Sequence, residues 1–91
     1  MRKLTEQDLL AIIGTEQSGY AIQRARVKDG EFSDSDHYGI ALARSESGRW
    51  VTWQFHLDAD EKPDFYWGRY IIDPEAAEKD YEIRGTDQDE R

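Results

Sequence analysis

The 91 residues of this chain are enough for one small domain and leave no room for a second core. Hydrophobic residues make up 37% of the chain and charged residues 35%, so the core must be small and must rely on the three Trp, five Tyr and three Phe. The net charge of −8 disfavours non-specific binding to nucleic acid, and the lack of Cys excludes disulfides, thiolate metal sites and cysteine catalysis.

The first predicted element is a short amphipathic helix over residues 6–13. Thr5 and Asp8 have the spacing of a capping box in which Asp replaces the usual Glu. Apolar residues follow at helical spacing, and Gly14 can adopt the left-handed conformation that ends a helix. We expect the apolar stripe of this helix to pack on the rest of the core. The stripe consists of Leu9, Leu10, Ile12 and Ile13.

The middle of the chain has the pattern of an antiparallel sheet. Residues 29–36 carry a charge of −4 and have the composition of a loop. Bulky and small residues alternate over 38–44, which places the bulky side chains on one face and leaves the other face thin. The alternation is most regular over 50–57. The predicted strands are residues 20–28, 38–44, 50–57 and 65–72.

A second helix is predicted to begin after Asp73. Asp73 is the cap, Pro74 occupies the first helical position, and the helix runs to about residue 84 with a stop at Gly85. Its predicted packing face is thin, with Tyr81 at the edge, and consists of Ala76, Ala77, Asp80, Ile83 and Arg84. Residues 86–91 contain no apolar side chain and are expected to form a disordered acidic tail.

These elements predict a single α+β domain over residues 1–85. It consists of an N-terminal helix, a three- to four-stranded antiparallel sheet and a C-terminal helix. We expect both helices to cover one face of the sheet and the other face to be partly solvated.

Charge is divided unevenly along the chain. Residues 1–30 carry a charge of +1, residues 31–72 a charge of −4 and residues 73–91 a charge of −5. Acidic loops and helices are often no more than solvated surfaces. Regularly spaced carboxylates can also imitate a phosphate backbone and occupy a protein that grips nucleic acid with Lys and Arg. The acidic residues predicted to bind such a partner are Asp58, Asp60, Glu61, Asp64, Glu75, Glu78 and Glu82.

A different surface offers an alternative. Several arginines lie in or beside predicted strands, and Trp residues accompany them. Arginine beside an exposed aromatic ring is typical of an interface hot spot or of a platform on which bases stack. The residues of this alternative ligand face are Arg24, Arg26, Arg44, Arg49, Trp50 and Trp67.

Motifs for catalysis or metal binding are missing from the sequence. A calcium loop counted from Asp58 places Lys62 and Pro63 where an oxygen ligand and a Gly are needed, and a count from Asp34 lacks two ligands. His37 and His56 lie near carboxylates but outside any zinc or nucleophile motif. We therefore expect no catalytic residue, no metal site and no cofactor.

The region from residue 50 to residue 85 resembles a known class of proteins. The residues that carry the resemblance are Trp67-Gly68-Arg69-Tyr70-Ile71-Ile72-Asp73, then Ala76-Ala77, Asp80-Tyr81 and Arg84, with Val51-Thr52-Trp53 upstream. This pattern resembles small uncharacterised acidic accessory proteins of bacterial phages and conjugative elements. The class includes anti-CRISPR and anti-restriction proteins, several of which mimic nucleic acid. No site residue can be transferred from it.

Charge, composition and resemblance lead to one functional hypothesis. We expect a cytoplasmic, non-enzymatic acidic protein that inhibits a basic, nucleic-acid-handling host protein, such as a nuclease or a DNA-binding complex. Neither membrane contact nor direct binding to nucleic acid is expected. The alternative is a module that binds nucleic acid or another ligand through the arginine and aromatic sheet face.

Overall fold

A computed structural model of the chain describes residues 4–27 and 38–84. These residues form the predicted α+β arrangement. One helix precedes and one helix follows the strands along the chain, and the antiparallel sheet has five strands, one more than the highest number expected. The elements in chain order are α1 (Glu6–Ile12), β1 (Glu16–Gln17), β2 (Tyr20–Val27), β3 (Gly39–Ser45), β4 (Trp50–Leu57), β5 (Pro63–Ile71) and α2 (Pro74–Arg84).

The predicted capping box begins α1. The Asp8 amide donates to the Thr5 hydroxyl at 3.3 Å, and the Thr5 amide donates to the Asp8 carboxylate at 2.7 Å. Gly14 has a φ of +92° and follows the helix as predicted. The expected burial of the whole stripe is wrong for two of its members, because Leu10 is 63% exposed and Ile13 38% exposed.

The additional strand comes from the turn region after α1. Ser18 and Gly19 both have positive φ, at 56° and 85°, which is the conformation of a two-residue hairpin turn. Glu16 and Gln17 therefore pair with the start of β2. Each later strand also pairs with its sequence neighbour, so the sheet is a meander in the order β1 to β5.

A bulge in β2 exchanges the faces of its side chains. Ile22 lies opposite Ala43, whereas Arg24 lies opposite Leu42, so Gln23 is the additional residue. In a regular strand, Ile22 and Arg24 would point to the same face, because side chains alternate along a strand. The bulge places them on opposite faces.

A second bulge lies in β5. Tyr66 pairs with Gln54 and Arg69 pairs with Thr52, which leaves Trp67 and Gly68 as the bulge residues. Trp67 has a φ of +55°, and a Cβ at position 68 would lie 2.9 Å from the indole nitrogen of Trp53. Gly68 is therefore required for close packing.

The helices cover opposite faces of the sheet, so the expectation that both share one face is wrong. On the face of α1, Leu4 and Ile12 pack with Val51, Trp53 and Phe55. On the other face, α2 packs against Ile40 and Leu42 of β3. The thin face of β3, with Ala41 and Ala43, belongs to the core under α1, where the large aromatic side chains of β4 and β5 fill the space.

Tyr81 is at the centre of the α2 contact rather than at its edge. Tyr81 is 2% exposed and Ala77 is fully buried, whereas Ile83 is 42% exposed. Asp73 caps the helix as predicted, since its carboxylate accepts a hydrogen bond from the Ala76 amide at 3.0 Å. The predicted packing face was wrong because the periodicity of α2 is weak, and the burial of Tyr81 depends on its contact with β3.

Several predictions fall outside the described residues. The loop over 29–36, the helix stop at Gly85 and the tail over 86–91 all lie there. Neither of the described helices combines the length and apolar character that crossing a membrane requires.

Deletion of residues 1–13 is predicted to abolish cooperative unfolding. Leu4 and Ile12 are each 7% exposed, and full burial of one such side chain contributes about 1.5–3 kcal/mol. The deletion also exposes the α1 face of the sheet, in a domain whose total stability is expected to be about 5–10 kcal/mol. Thermal melts followed by circular dichroism test this. A cooperative melt near the full-length midpoint would show that α1 is dispensable.

Candidate functional site

A groove runs between α2 and the sheet. It has a volume of about 620 Å³ and is open to solvent along one side. Leu42 and the half-buried Trp50 come from the sheet, and the outer flank of α2 forms the opposite wall. We call it the α2 groove. Its lining consists of Gln23, Arg24, Leu42, Trp50, Pro74, Glu75, Glu78, Lys79 and Glu82.

Three of the predicted partner-binding residues border this groove. Glu75, Glu78 and Glu82 lie at helical spacing and line the same wall. Glu78 forms an ion pair with Arg24 across the groove. Among the described residues, no cation forms an ion pair with Glu75 or Glu82. The helix wall therefore carries two carboxylates that are outside the ion pairs of the described residues.

Two of the four arginines of the alternative ligand face contact the same helix. Arg24 lies 4.7 Å from the centre of the Tyr81 ring, and Arg26 lies 5.6 Å from it. Arg26 also donates to the main-chain oxygen of Glu82 at 3.4 Å. Cations over an aromatic face are attracted to its π-electrons, so these two arginines hold α2 in place.

Of the remaining residues of that alternative face, the two arginines lie beside Trp50, whereas Trp67 lies on the edge strand. Arg44 stacks over Trp50 with 5.7 Å between the guanidinium and the ring centre. Arg49 lines a smaller hollow of about 310 Å³ together with Trp50 and Tyr70. Trp67 is 62% exposed on the edge strand β5, within its bulge. The structure therefore brings Arg24, Arg44 and Trp50 near one another and separates Trp67 from them.

Asp80 anchors α2 to the sheet, a role that the sequence did not reveal. Its carboxylate accepts from the Thr52 hydroxyl at 2.5 Å and from the Arg69 guanidinium at 2.8 Å. Thr52 is fully buried, so this hydrogen bond satisfies a hydroxyl that would otherwise be costly to bury. Arg69 reaches Asp80 because the β5 bulge turns it to the α2 face.

The other predicted acidic residues lie at the opposite end of the sheet. Asp58, Asp60 and Glu61 belong to the turn between β4 and β5, and Asp64 lies at the start of β5, whereas the α2 groove lies at Trp50. A strand of this length spans about 23 Å. The two acidic sets therefore form separate surfaces.

Asp58 has a structural role in this turn. Its carboxylate accepts from the backbone amides of Asp60 at 2.8 Å and Lys62 at 3.0 Å. Glu61 adopts a φ of +61° at the tip. Asp58 thereby fixes the turn from which Asp60 projects into solvent.

A second cluster on the α2 face was missed by sequence analysis. Gln54 is 4% exposed and donates to the Tyr66 hydroxyl at 3.2 Å, and His56 Nδ1 lies 3.3 Å from the same hydroxyl. His56 Nε2 is 3.8 Å from the Asp64 carboxylate. Alternation along β4 places Gln54 and His56 on the same face, but only the pairing of β4 with β5 brings Tyr66 opposite Gln54. We call Gln54, His56, Asp64 and Tyr66 the Tyr66 cluster.

Comparison of the chain with protein-family models, with curated proteins and with solved structures found no match. Within the described ranges, no group of three or more carboxylate or imidazole side chains is placed to hold a metal ion.

The Tyr81→Phe variant is predicted to lose less stability than the wild type as the pH rises into the alkaline range. Burial raises the pKa of Tyr81 above its ordinary 10.0, and Glu78 acts in the same direction, whereas Arg24 and Arg26 oppose the shift. The neutral phenol is favoured in the folded state, so its stabilising contribution is complete below pH 10.0 and is lost as the pH rises through the folded-state pKa.

Denaturant titrations at a series of pH values measure this difference. The Tyr81→Phe variant should lose less stability than the wild type above about pH 10. A matched control is Tyr70→Phe, whose ring is 65% exposed and which should retain the wild-type fall. Equal losses in Tyr81→Phe and wild type would show that this hydroxyl does not couple to folding.

Proposed function

We propose that the protein is a non-enzymatic binding protein that occupies a basic, nucleic-acid-handling protein partner. The observation that carries this proposal is the α2 groove. It combines an aromatic and apolar floor, formed by Trp50 and Leu42, with two α2 carboxylates, Glu75 and Glu82, that form no ion pair with a described cation. An apolar floor with a polar rim is the usual anatomy of a protein interface.

Charge supports a basic protein as the partner. The chain carries a net charge of −8, and such a charge accelerates encounter with a cationic surface. Arg24 and Arg26, which would have to grip phosphates in a nucleic-acid-binding module, instead contact Tyr81. Arg24 is also neutralised by Glu78.

The spacing of the helix carboxylates supports competition with nucleic acid. Glu75 and Glu82 are seven residues apart, which corresponds to about 10 Å along a helix axis. A nucleic-acid strand places about three phosphates in the same length. In a phage or conjugative element, a protein of this kind would inhibit a host nuclease or DNA-binding complex.

The alternative function rests on a different observation. Arg49, Trp50 and Tyr70 surround a second hollow, and Tyr70 is 65% exposed. An arginine beside exposed rings suits base stacking. This reading requires direct binding of single-stranded nucleic acid by the chain, in spite of its net charge.

The double variant Glu75→Gln with Glu82→Gln tests the proposed function. The matched control is Glu6→Gln with Glu16→Gln, which changes the net charge equally, since both of these residues are exposed and neither lines the α2 groove. The probe is a fluorescent poly-arginine peptide titrated at several salt concentrations. We expect the groove variant to weaken binding by about three- to tenfold and to reduce the salt dependence more than the control, because two exposed charge contacts are lost.

Two outcomes would contradict the proposal. Equal weakening in both double variants would mean that net charge alone attracts the peptide and that the α2 groove is not the site. Binding of single-stranded DNA by the wild type at moderate salt would instead favour the alternative function.

A further inference from the structure

The Tyr66 cluster contains a buried polar atom that lacks a hydrogen-bond partner among the described residues. Gln54 is 4% exposed, yet its side-chain oxygen Oε1 has no hydrogen-bond partner within the described parts of the chain. Buried polar atoms are almost always paired in folded proteins. An acceptor of this kind would gain a hydrogen bond from a bound group that supplies a donor.

The direction of the hydrogen bonds identifies the missing group. With a neutral imidazole, Tyr66 accepts from the Gln54 amide nitrogen and donates to His56 Nδ1, and His56 Nε2–H then faces Asp64 at 3.8 Å. The reverse orientation would point a lone pair of His56 at the Asp64 carboxylate. In the favoured orientation the Gln54 amide nitrogen is paired and the amide oxygen Oε1 is not. An amide oxygen only accepts, so the ligand must supply an N–H or O–H.

Aromatic rings and a carboxylate lie beside Tyr66 and His56, the neighbours of Gln54 in the cluster. Tyr66 packs edge-on against Trp67, with 5.1 Å between ring centres, and Tyr38 packs edge-on against His56 at 6.2 Å. Asp64 has a side chain that is 59% exposed and continues into the acidic turn after β4. A planar cation that donates hydrogen bonds satisfies all three features of the cluster.

We propose that the Tyr66 cluster is an anchor site for an arginine side chain of the partner. A guanidinium group has several N–H donors, stacks on aromatic faces and keeps its charge. Lysine lacks the flat face, and a nucleobase would bring phosphates towards Asp64 and its neighbours. Gln54 Oε1 has no solvent contact in the free chain, so binding requires a side-chain rotation within the cluster.

This inference rests on the proposed function for the class of partner but uses a different surface. The cluster lies towards the β4–β5 turn, whereas the α2 groove lies at the start of β4. Binding at the two surfaces can therefore be measured separately.

Nuclear magnetic resonance with the full chain tests the proposal. The ¹⁵N resonances of the Gln54 side-chain amide and the Trp67 indole are followed while blocked arginine is added. The control ligand is blocked citrulline, which has nearly the same shape without the charge. We expect arginine to shift both resonances and citrulline to shift neither. Equal shifts, or none, would overturn the proposal.

Variants of the cluster locate the site. Gln54→Met removes the acceptor at similar size and should weaken arginine binding at least fivefold, as reported by the Trp67 indole. Asp64→Asn changes an exposed side chain, so it keeps the test valid if Gln54→Met does not fold, and it should weaken binding about twofold to threefold. Wild-type affinity in a folded Gln54→Met, or in Asp64→Asn, would overturn the assignment.

The variant of the α2 groove separates this proposal from the proposed function. Glu75→Gln with Glu82→Gln should bind blocked arginine as the wild type does, because neither residue belongs to the cluster. If the variants of the groove leave poly-arginine binding unchanged while blocked arginine still shifts Gln54, the groove fails as a site and the arginine anchor holds. Loss of arginine binding in the groove variant would overturn the anchor.

Discussion

The packing of Tyr81 against Ile40 and Leu42 is the contact on which the second face of the sheet depends. Helix α2 offers little other apolar surface, since Ala77 is its only other fully buried side chain among the described residues. A ring of this size supplies much of the burial that holds a short helix on a sheet. Because Arg24 and Arg26 of β2 also lie against the Tyr81 ring, the same contact determines where positive charge is available on this face.

The packing of α2 on the sheet pairs some of the acidic residues of the helix with arginines of the sheet. Arg24 pairs with Glu78, and Arg69 pairs with Asp80, so two acidic residues of the helix serve the fold. These pairs are partly exposed and contribute little stability individually. Their larger effect is on the surface, because they leave the outer flank of α2 acidic and neutralise the arginines beneath it.

One face of β4 connects the two surfaces for which binding is proposed. Trp50 contributes to the α2 groove, Thr52 holds Asp80, and Gln54 and His56 belong to the Tyr66 cluster. Side chains on one face of a strand recur at every second residue. The α2 groove, the Thr52–Asp80 hydrogen bond and the Tyr66 cluster therefore follow one another along β4. A basic partner that spans this row would contact an acidic surface at each end.

The sequence by itself determined the elements whose signals are local. The Thr5 capping box, the alternation along β4 and the Asp73 cap each lie within a few residues, and each element begins where these signals place it. The tertiary structure alone decided which face each side chain of β2 and β5 occupies, because a bulge in each of these strands shifts the alternation by one residue. One such bulge requires Gly68 to approach Trp53, from another strand, and Arg24 meets Glu78 across 54 residues of chain. Contacts between residues so far apart leave no periodic signal in the sequence, so the two surfaces of the α2 face could be located only after the strands were paired.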